Sequence, residues 1–177
     1  MRLIEAMKSV KHTLRKMEDL KKKVSMYCAD LDCMQPTYGD ANEQKKKVSE
    51  WLQMYHDLAL KLTEIKRDIQ NTNLNTPVTI KVGDDPVTRS IAEWVIRRRE
   101  IIDLEVALYS VLSDRGLADK SLMTRSMLED NKVKNARVRF YFDASERDKR
   151  LETLKTEKES IDTTLETINA TTEVITK

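Results

Sequence analysis

Residues 3–31 read LIEAMKSVKHTLRKMEDLKKKVSMYCADL. Leu3, Met7, Val10, Leu14, Met17, Lys21, Val24, Cys28 and Leu31 alternate spacings of four and three, and Lys21 is the one polar member. That is the spacing of a coiled-coil seam, so the stretch predicts a helix that hides one edge against another helix. Pro36 and Gly39 then open a turn. A second seam follows at Val48, Leu52, Tyr55, Ala59, Leu62 and Ile69, widened by Trp51, Leu58 and Ile65. Two long helices joined by a short loop must run antiparallel. Residues 1–72 are therefore predicted to form a helical hairpin, each arm roughly 30 residues and about 45 Å long.

Beyond the hairpin the texture changes. Asn71-Thr72-Asn73-Leu74-Asn75-Thr76-Pro77 collects poor helix formers and a proline, which predicts a helix end. Val78, Ile80 and Val82 alternate with polar residues and predict a strand over 76–82. Gly83 to Pro86 reads as a turn, with Asp85 placed to cap a helix over 86–113 and Pro86 at its first position. Residues 117–131 hold a shorter helical pattern with Leu122, Met123, Met127 and Leu128. Val138, Phe140 and Phe142 predict a second strand over 136–142, expected to pair with the first as a ribbon. Asp143 with Glu146 has capping-box spacing and opens a helix over 143–176, whose seam runs through Leu151, Leu154, Lys158, Ile161, Leu165, Ile168, Thr172 and Ile175. The expected fold is mainly α. It is one helical domain, 1–177, in which a long antiparallel hairpin and further long helices form a coiled-coil-like bundle with a small two-stranded β-ribbon. So many long seams on one chain predict a homo-oligomer.

Composition agrees. Among 177 residues there are only 3 Gly and 3 Pro, and aromatics make up 5%, too few turn formers for a sandwich, barrel or βαβ enzyme fold. Lys and Arg number 32 against 30 Asp and Glu, so the near balance gives no case for a nucleic-acid partner. No 18-residue apolar run suggests a membrane span. Glu5 interrupts the start and no apolar run follows it, so no signal peptide is expected and the location is read as cytoplasmic. Cys28 and Cys33 are too few for a disulfide framework, and Cys28 is read as a seam residue. With single, distant His12 and His56 they do not make a zinc set, so no metal and no cofactor is expected.

The chain resembles a family of small bacterial and phage helical proteins labelled septicolysin. The resemblance rests on Met1-Arg2-Leu3-Ile4-Glu5-Ala6, Ile69-Gln70-Asn71-Thr72-Asn73, Ile91-Ala92-Glu93, Arg97-Arg98-Arg99 and Ile168-Asn169-Ala170-Thr171-Thr172-Glu173. It spans nearly the whole chain, departing at Ala170, where the family usually carries tryptophan, and over Lys120 to Lys134. It implies a helical, oligomer-forming fold with a β-ribbon and no established activity. The lytic label does not suit these apolar stripes, which are narrow and flanked by charge.

Catalytic chemistry is poorly supplied. The three glycines stand isolated, so no phosphate loop exists, and no Gly-x-Ser-x-Gly elbow occurs. Lys21-Lys22-Lys23 and Lys45-Lys46-Lys47 read as solvated helix faces. Arg97-Arg98-Arg99 differs, because a regular stripe through Ile91, Trp94, Val95 and Ile102 points Arg98 inward. A buried guanidinium needs acceptors, and Glu105 and Asp103 are the nearby acids. The alternative is a bound anion, held by Arg97, Arg98 and Arg99 with Asn71, Thr72, Asn73 and Asn75, and with Arg139 (and Arg137) adding charge from the second strand. The expected function is then a non-enzymatic oligomer that captures a small anionic ligand, of nucleotide type, at subunit boundaries. Phage proteins that sequester host nucleotide immune signals belong to that class, and a phage source would place the protein in host cytoplasm. The competing expectation is a structural coiled-coil scaffold or partner-binding module with no small ligand.

Overall fold

The computed structural model describes residues 1–83, 85–116 and 138–176. The protein is mainly helical with one small antiparallel sheet. It divides into two compact units, Met1–Thr76 with Glu166–Lys177 and Pro77–Leu165.

The first unit is the hairpin, α1 (Leu3–Tyr27) and α2 (Ala41–Asn75). Asp40 begins α2 by accepting from the backbone N–H of Asn42 and of Glu43, both at 2.8 Å. Gly39, at φ 75°, turns the chain into that cap where a side chain would be strained. The rings of Tyr27, Tyr38 and Trp51 pack on one another at the bend, with centroids 5.2 to 5.8 Å apart. Gln44 fastens the two sides, accepting from Tyr38 N–H at 3.1 Å and donating to the Tyr27 carbonyl at 2.8 Å.

The contact between the arms is rotated from the expected seam. Leu3, Ala6, Thr13 and Leu20 are the buried residues of α1, while Leu14 and Cys28 are exposed. On α2, Gln44, Trp51 and Thr72 are buried, and Leu52 is exposed. The seam therefore runs through 3, 6, 10, 13, 17, 20, 24 and 27, and through 44, 48, 51, 58, 62, 65, 69 and 72. Small Ala6 and Thr13 are buried, whereas the bulkier Met7 is only half-buried and Leu14 is exposed. Both arms also differ in length from the expectation: α1 stops at Tyr27 and α2 continues past residue 72 to Asn75.

The chain ends close this unit. Arg2 and Glu173 form an antiparallel bridge, Leu3 N–H donates to the Thr172 carbonyl and Val174 N–H to that of Met1, both at 2.9 Å. Ile175 N–H donates to Thr72 Oγ1 at 2.9 Å. The expected helix over 143–176 accordingly ends earlier, as α5 (Ala144–Thr171), because Thr172 to Ile175 are engaged in these extended contacts.

The second unit opens with the ribbon, β1 (Pro77–Val82) and β2 (Asp85–Ser90), in the register Val78↔Arg89, Ile80↔Val87, Val82↔Asp85. This corrects the expected pairing. Residues 138–142 form no strand, and residues 117–137, with the helical pattern read there and the start of the 136–142 strand, lie outside the described residues. Gly83, at φ 62°, turns the chain at the end of β1. Pro86 lies in a strand and does not start a helix, which a two-stranded ribbon tolerates because both strands are edges. Val78 and Ile80 are buried, and the Trp94 indole N–H donates to the Val78 carbonyl at 2.9 Å.

The helix expected over 86–113 begins at Ile91 instead, capped by Ser90, which pairs with Glu93 in a capping box. It runs as α3 (Ile91–Ile96), a π-helical turn (Arg97–Ile101) and α4 (Ile102–Ser110). The Ile102 N–H reaches the Arg97 carbonyl, five residues back. Its buried residues Ile91, Trp94 and Ile102, and Leu154, Glu157, Ile161 and Leu165 of α5, form this unit's core with the ribbon. Among the described residues no helix is long and apolar enough to cross a membrane.

Candidate functional site

The π turn decides which arginine is buried. Counting back from Ile102, a regular helix turns residue 98 inward, whereas a five-residue turn brings residue 97 there. The expectation for Arg98 is corrected accordingly: Arg97 is the buried one, its side chain 12% exposed, against 38% for Arg98.

Arg97 is saturated by carboxylates. Its Nε donates to Glu157 Oε1 at 2.8 Å and its Nη2 to Glu157 Oε2 at 2.9 Å, the bidentate fork that suits a carboxylate. Its Nη1 donates to Glu105 Oε1. Glu105 Oε2 in turn accepts from Arg150 Nη2 at 2.9 Å. Residues 97 and 105 share one line of the helix because the extra residue of the π turn makes their spacing equivalent to a heptad. The hydrogen bonds of Glu157, ahead of those of Glu105, hold the Arg97 guanidinium more firmly protonated than usual. The Arg97 hydrogen bond, followed by that of Arg150, keeps Glu105 below the usual carboxylate range. Two cations and two anions leave the cluster with no net charge to offer an anion.

The other predicted residues are dispersed. Arg98 pairs with Asp162 at 3.0 Å on the surface, and Arg99 is exposed. Arg139 is exposed and lines a cleft of 340 Å³ with Val111, Phe140 and Phe142. Asn71, Thr72, Asn73 and Asn75 belong to the first unit, whereas the four arginines belong to the second. The asparagines stand on helix α2 and not on a turn: Asn75 Nδ2 donates to the Asn71 carbonyl at 2.8 Å, and Thr72 Oγ1 donates to that of Asp68 at 2.7 Å. The side-chain oxygens of Asn73 and Asn169 are buried with no hydrogen-bond partner.

Glu157 was not among the residues singled out from the sequence. Its signal was there: it sits three residues after Leu154 and four before Ile161, and it is buried in the seam place that the spacing gave to Lys158, whose side chain is 39% exposed and pairs with Asp103. A seam acid on one helix and an inward arginine on another are natural partners.

His12 and His56 are exposed, and among the described residues no group of three or more His, Cys, Asp and Glu is placed to hold a metal ion. The class defined by this architecture is a mainly helical protein with a long hairpin, a β-ribbon and a charge-neutral ion-pair cluster whose Arg97–Glu157 core is buried. No family model, no curated protein and no solved structure matches the chain.

Proposed function

We propose that this is a non-enzymatic assembly protein whose hairpins pair, copy against copy, into a four-helix bundle. One observation carries the reading. Beside the seam that joins α1 to α2 lies a second set of apolar positions at seam spacing: Met7 and Leu14 on one arm, Leu52, Tyr55 and Ala59 on the other. Leu14 is 46% exposed, Leu52 55% and Tyr55 39%. Helices with two overlapping heptads are suited to bundles of more than two members. A second copy of the hairpin supplies two arms of the same length and the same flank, so the contact is isologous and closes on itself. The resemblance to the septicolysin-labelled proteins points the same way, to an oligomer-forming fold.

The capture reading is weaker on this geometry, because Arg97 and Arg98 already face carboxylates. Titration calorimetry with cyclic and linear nucleotides is expected to give nothing tighter than inorganic phosphate. A nucleotide that binds tightly makes capture the better reading.

Light scattering tests the assembly. The protein is expected at a multiple of its 20.6 kDa chain mass. Leu14→Glu with Leu52→Glu should weaken the association and leave the helical circular dichroism unchanged, since both positions are exposed. A wild-type protein that stays monomeric up to about 100 µM, a weak-interface concentration, sinks the reading.

A further inference from the structure

The near balance of acids and bases over the chain conceals a local excess. Helix α1 carries seven Lys and Arg against three Asp and Glu, whereas the whole chain has 32 against 30, so the rest of the chain is net acidic. Between Glu5 and Glu18 stand Lys8, Lys11, Arg15 and Lys16 and no acid. Lys8, Lys11, Arg15 and Lys22 follow spacings of three, four and seven, which places them on one line of the helix. Lys22 is about two and a half turns from Thr13, so this line lies opposite the buried one. All four are exposed, and among the described residues none has an ion-pair partner. Glu18, between Arg15 and Lys22, pairs instead with Lys21 at 3.6 Å. Like charges three and four residues apart repel, and an anion laid along them removes that repulsion.

We propose that this basic ridge is a docking surface for the phosphate backbone of duplex nucleic acid, bound without regard to sequence. Its length and chemistry select the partner. The ridge is straight and about 21 Å long, enough to follow several phosphates of a duplex, which presents one charge per about 1.7 Å of its axis. A helix that lies in a membrane surface buries its apolar face among the headgroups, and the apolar face of α1 is held against α2. Single-strand sites stack bases on aromatic rings, and the ridge has no Phe, Tyr or Trp; Tyr27, at the end of α1, is packed on Tyr38 and Trp51. Lysines on a convex helix face contact phosphates and read no base edges.

Beside the ridge, the trough between the two arms has a volume of 490 Å³ and is lined by Lys16, Lys23 and Lys61 with Asp19 and Asp57. Three cations against two anions continue the positive field towards α2. The ridge points away from α2 and is available in a single chain, whether or not the hairpins pair.

Fluorescence anisotropy of the full chain with a labelled DNA duplex of about 30 base pairs and arbitrary sequence, over a salt series from about 50 mM, tests the assignment. Binding is expected in the micromolar range at the lowest salt, and log K should fall against log salt with a slope of about −4, that of four phosphate contacts. Lys8→Gln/Lys11→Gln/Arg15→Gln/Lys22→Gln should bind at least about tenfold more weakly, with most of that slope gone. Lys45→Gln/Lys46→Gln/Lys66→Gln/Arg67→Gln removes the same charge from exposed positions of α2 and should change binding by less than about threefold. Lys8→Arg/Lys11→Arg/Lys22→Arg should bind as the wild type does. Every variant is expected to keep its helical dichroism. If the first does not, the pairs Lys8→Gln/Lys11→Gln and Arg15→Gln/Lys22→Gln carry the test, each expected to lose about half the slope. A wild-type protein that binds no duplex up to about 100 µM overturns the assignment, as does equal weakening by the two quadruple variants. So does tighter binding of a single strand of the same length, or binding to phosphatidylserine–phosphatidylcholine vesicles without binding to the duplex.

Discussion

Arg97 shows how far a single residue's environment depends on its surroundings. Its partner Glu157 has a side chain only 1% exposed, so removing the arginine leaves a carboxylate buried and unpaired. Arg97→Ala is expected to cost about 3–5 kcal/mol in urea unfolding. Replacing both with leucine should recover most of that loss, because a buried pair and a well-packed apolar pair are often nearly equivalent. If the double variant is as unstable as the single one, the cluster does more than neutralise itself. Glu105 adds a pH dependence. Its folded-state carboxyl is held below the ordinary value of 4.5 by Arg97 and Arg150, so its contribution is complete above that value and is lost as pH falls through the lowered one. Glu105→Gln should flatten that part of the acid denaturation curve and lower stability near neutral pH. The sequence announced that an arginine of this run would be buried and that Glu105 stood within reach. It did not announce which arginine, because helical periodicity assumes a regular helix and the extra residue of the π turn is invisible to it.

At the scale of the element, the π turn makes a sharper prediction. It behaves as one residue inserted into an otherwise regular helix, so deleting the exposed Arg99 should convert it to an α turn and keep Trp94 and Ile102 on one face. The expected change in stability is within about 1 kcal/mol, since an exposed side chain is removed and the packed faces keep their alignment. Deleting Ala107 in α4 instead should be severe, because it turns the following residues by about 100° about the helix axis. Equal damage from both deletions, measured by thermal melting, would show that the π turn is required for packing. The ribbon illustrates the opposite kind of legibility. Val78 and Ile80 announced β1 plainly. Its partner was hidden because Asp-Pro is also a helix-start signal, and Val138, Phe140 and Phe142 offered a cleaner alternation than Pro86, Val87 and Thr88. The hairpin arms were legible from their heptads, yet the choice between adjacent apolar positions was not. The buried line of α1 passes through Ala6 and Thr13 as well as Leu3 and Leu20, and a hydrophobic pattern ranks a small residue and a threonine below the neighbouring Met7 and Leu14.

For the whole molecule, the two compact units invite a test of whether they unfold separately. The chain has only two tryptophans, Trp51 in the first unit and Trp94 in the second, 6% and 0% exposed. Each is a fluorescence reporter for its own unit once the other is replaced by phenylalanine. The terminal contacts of the first unit provide the perturbation. Val174→Pro removes the N–H that donates to the Met1 carbonyl, a bond of 2.9 Å, and stiffens the segment whose next residue donates to Thr72. A lost backbone hydrogen bond together with a disturbed neighbour should cost about 1–2 kcal/mol. The Trp51 transition in urea is expected to move to lower concentration by that amount, while the Trp94 transition keeps its midpoint. Should both tryptophans report one shared transition that moves as a whole, the chain is a single cooperative body. The terminal bridge would then stabilise all of it, and the loss would be read equally at Trp51 and Trp94.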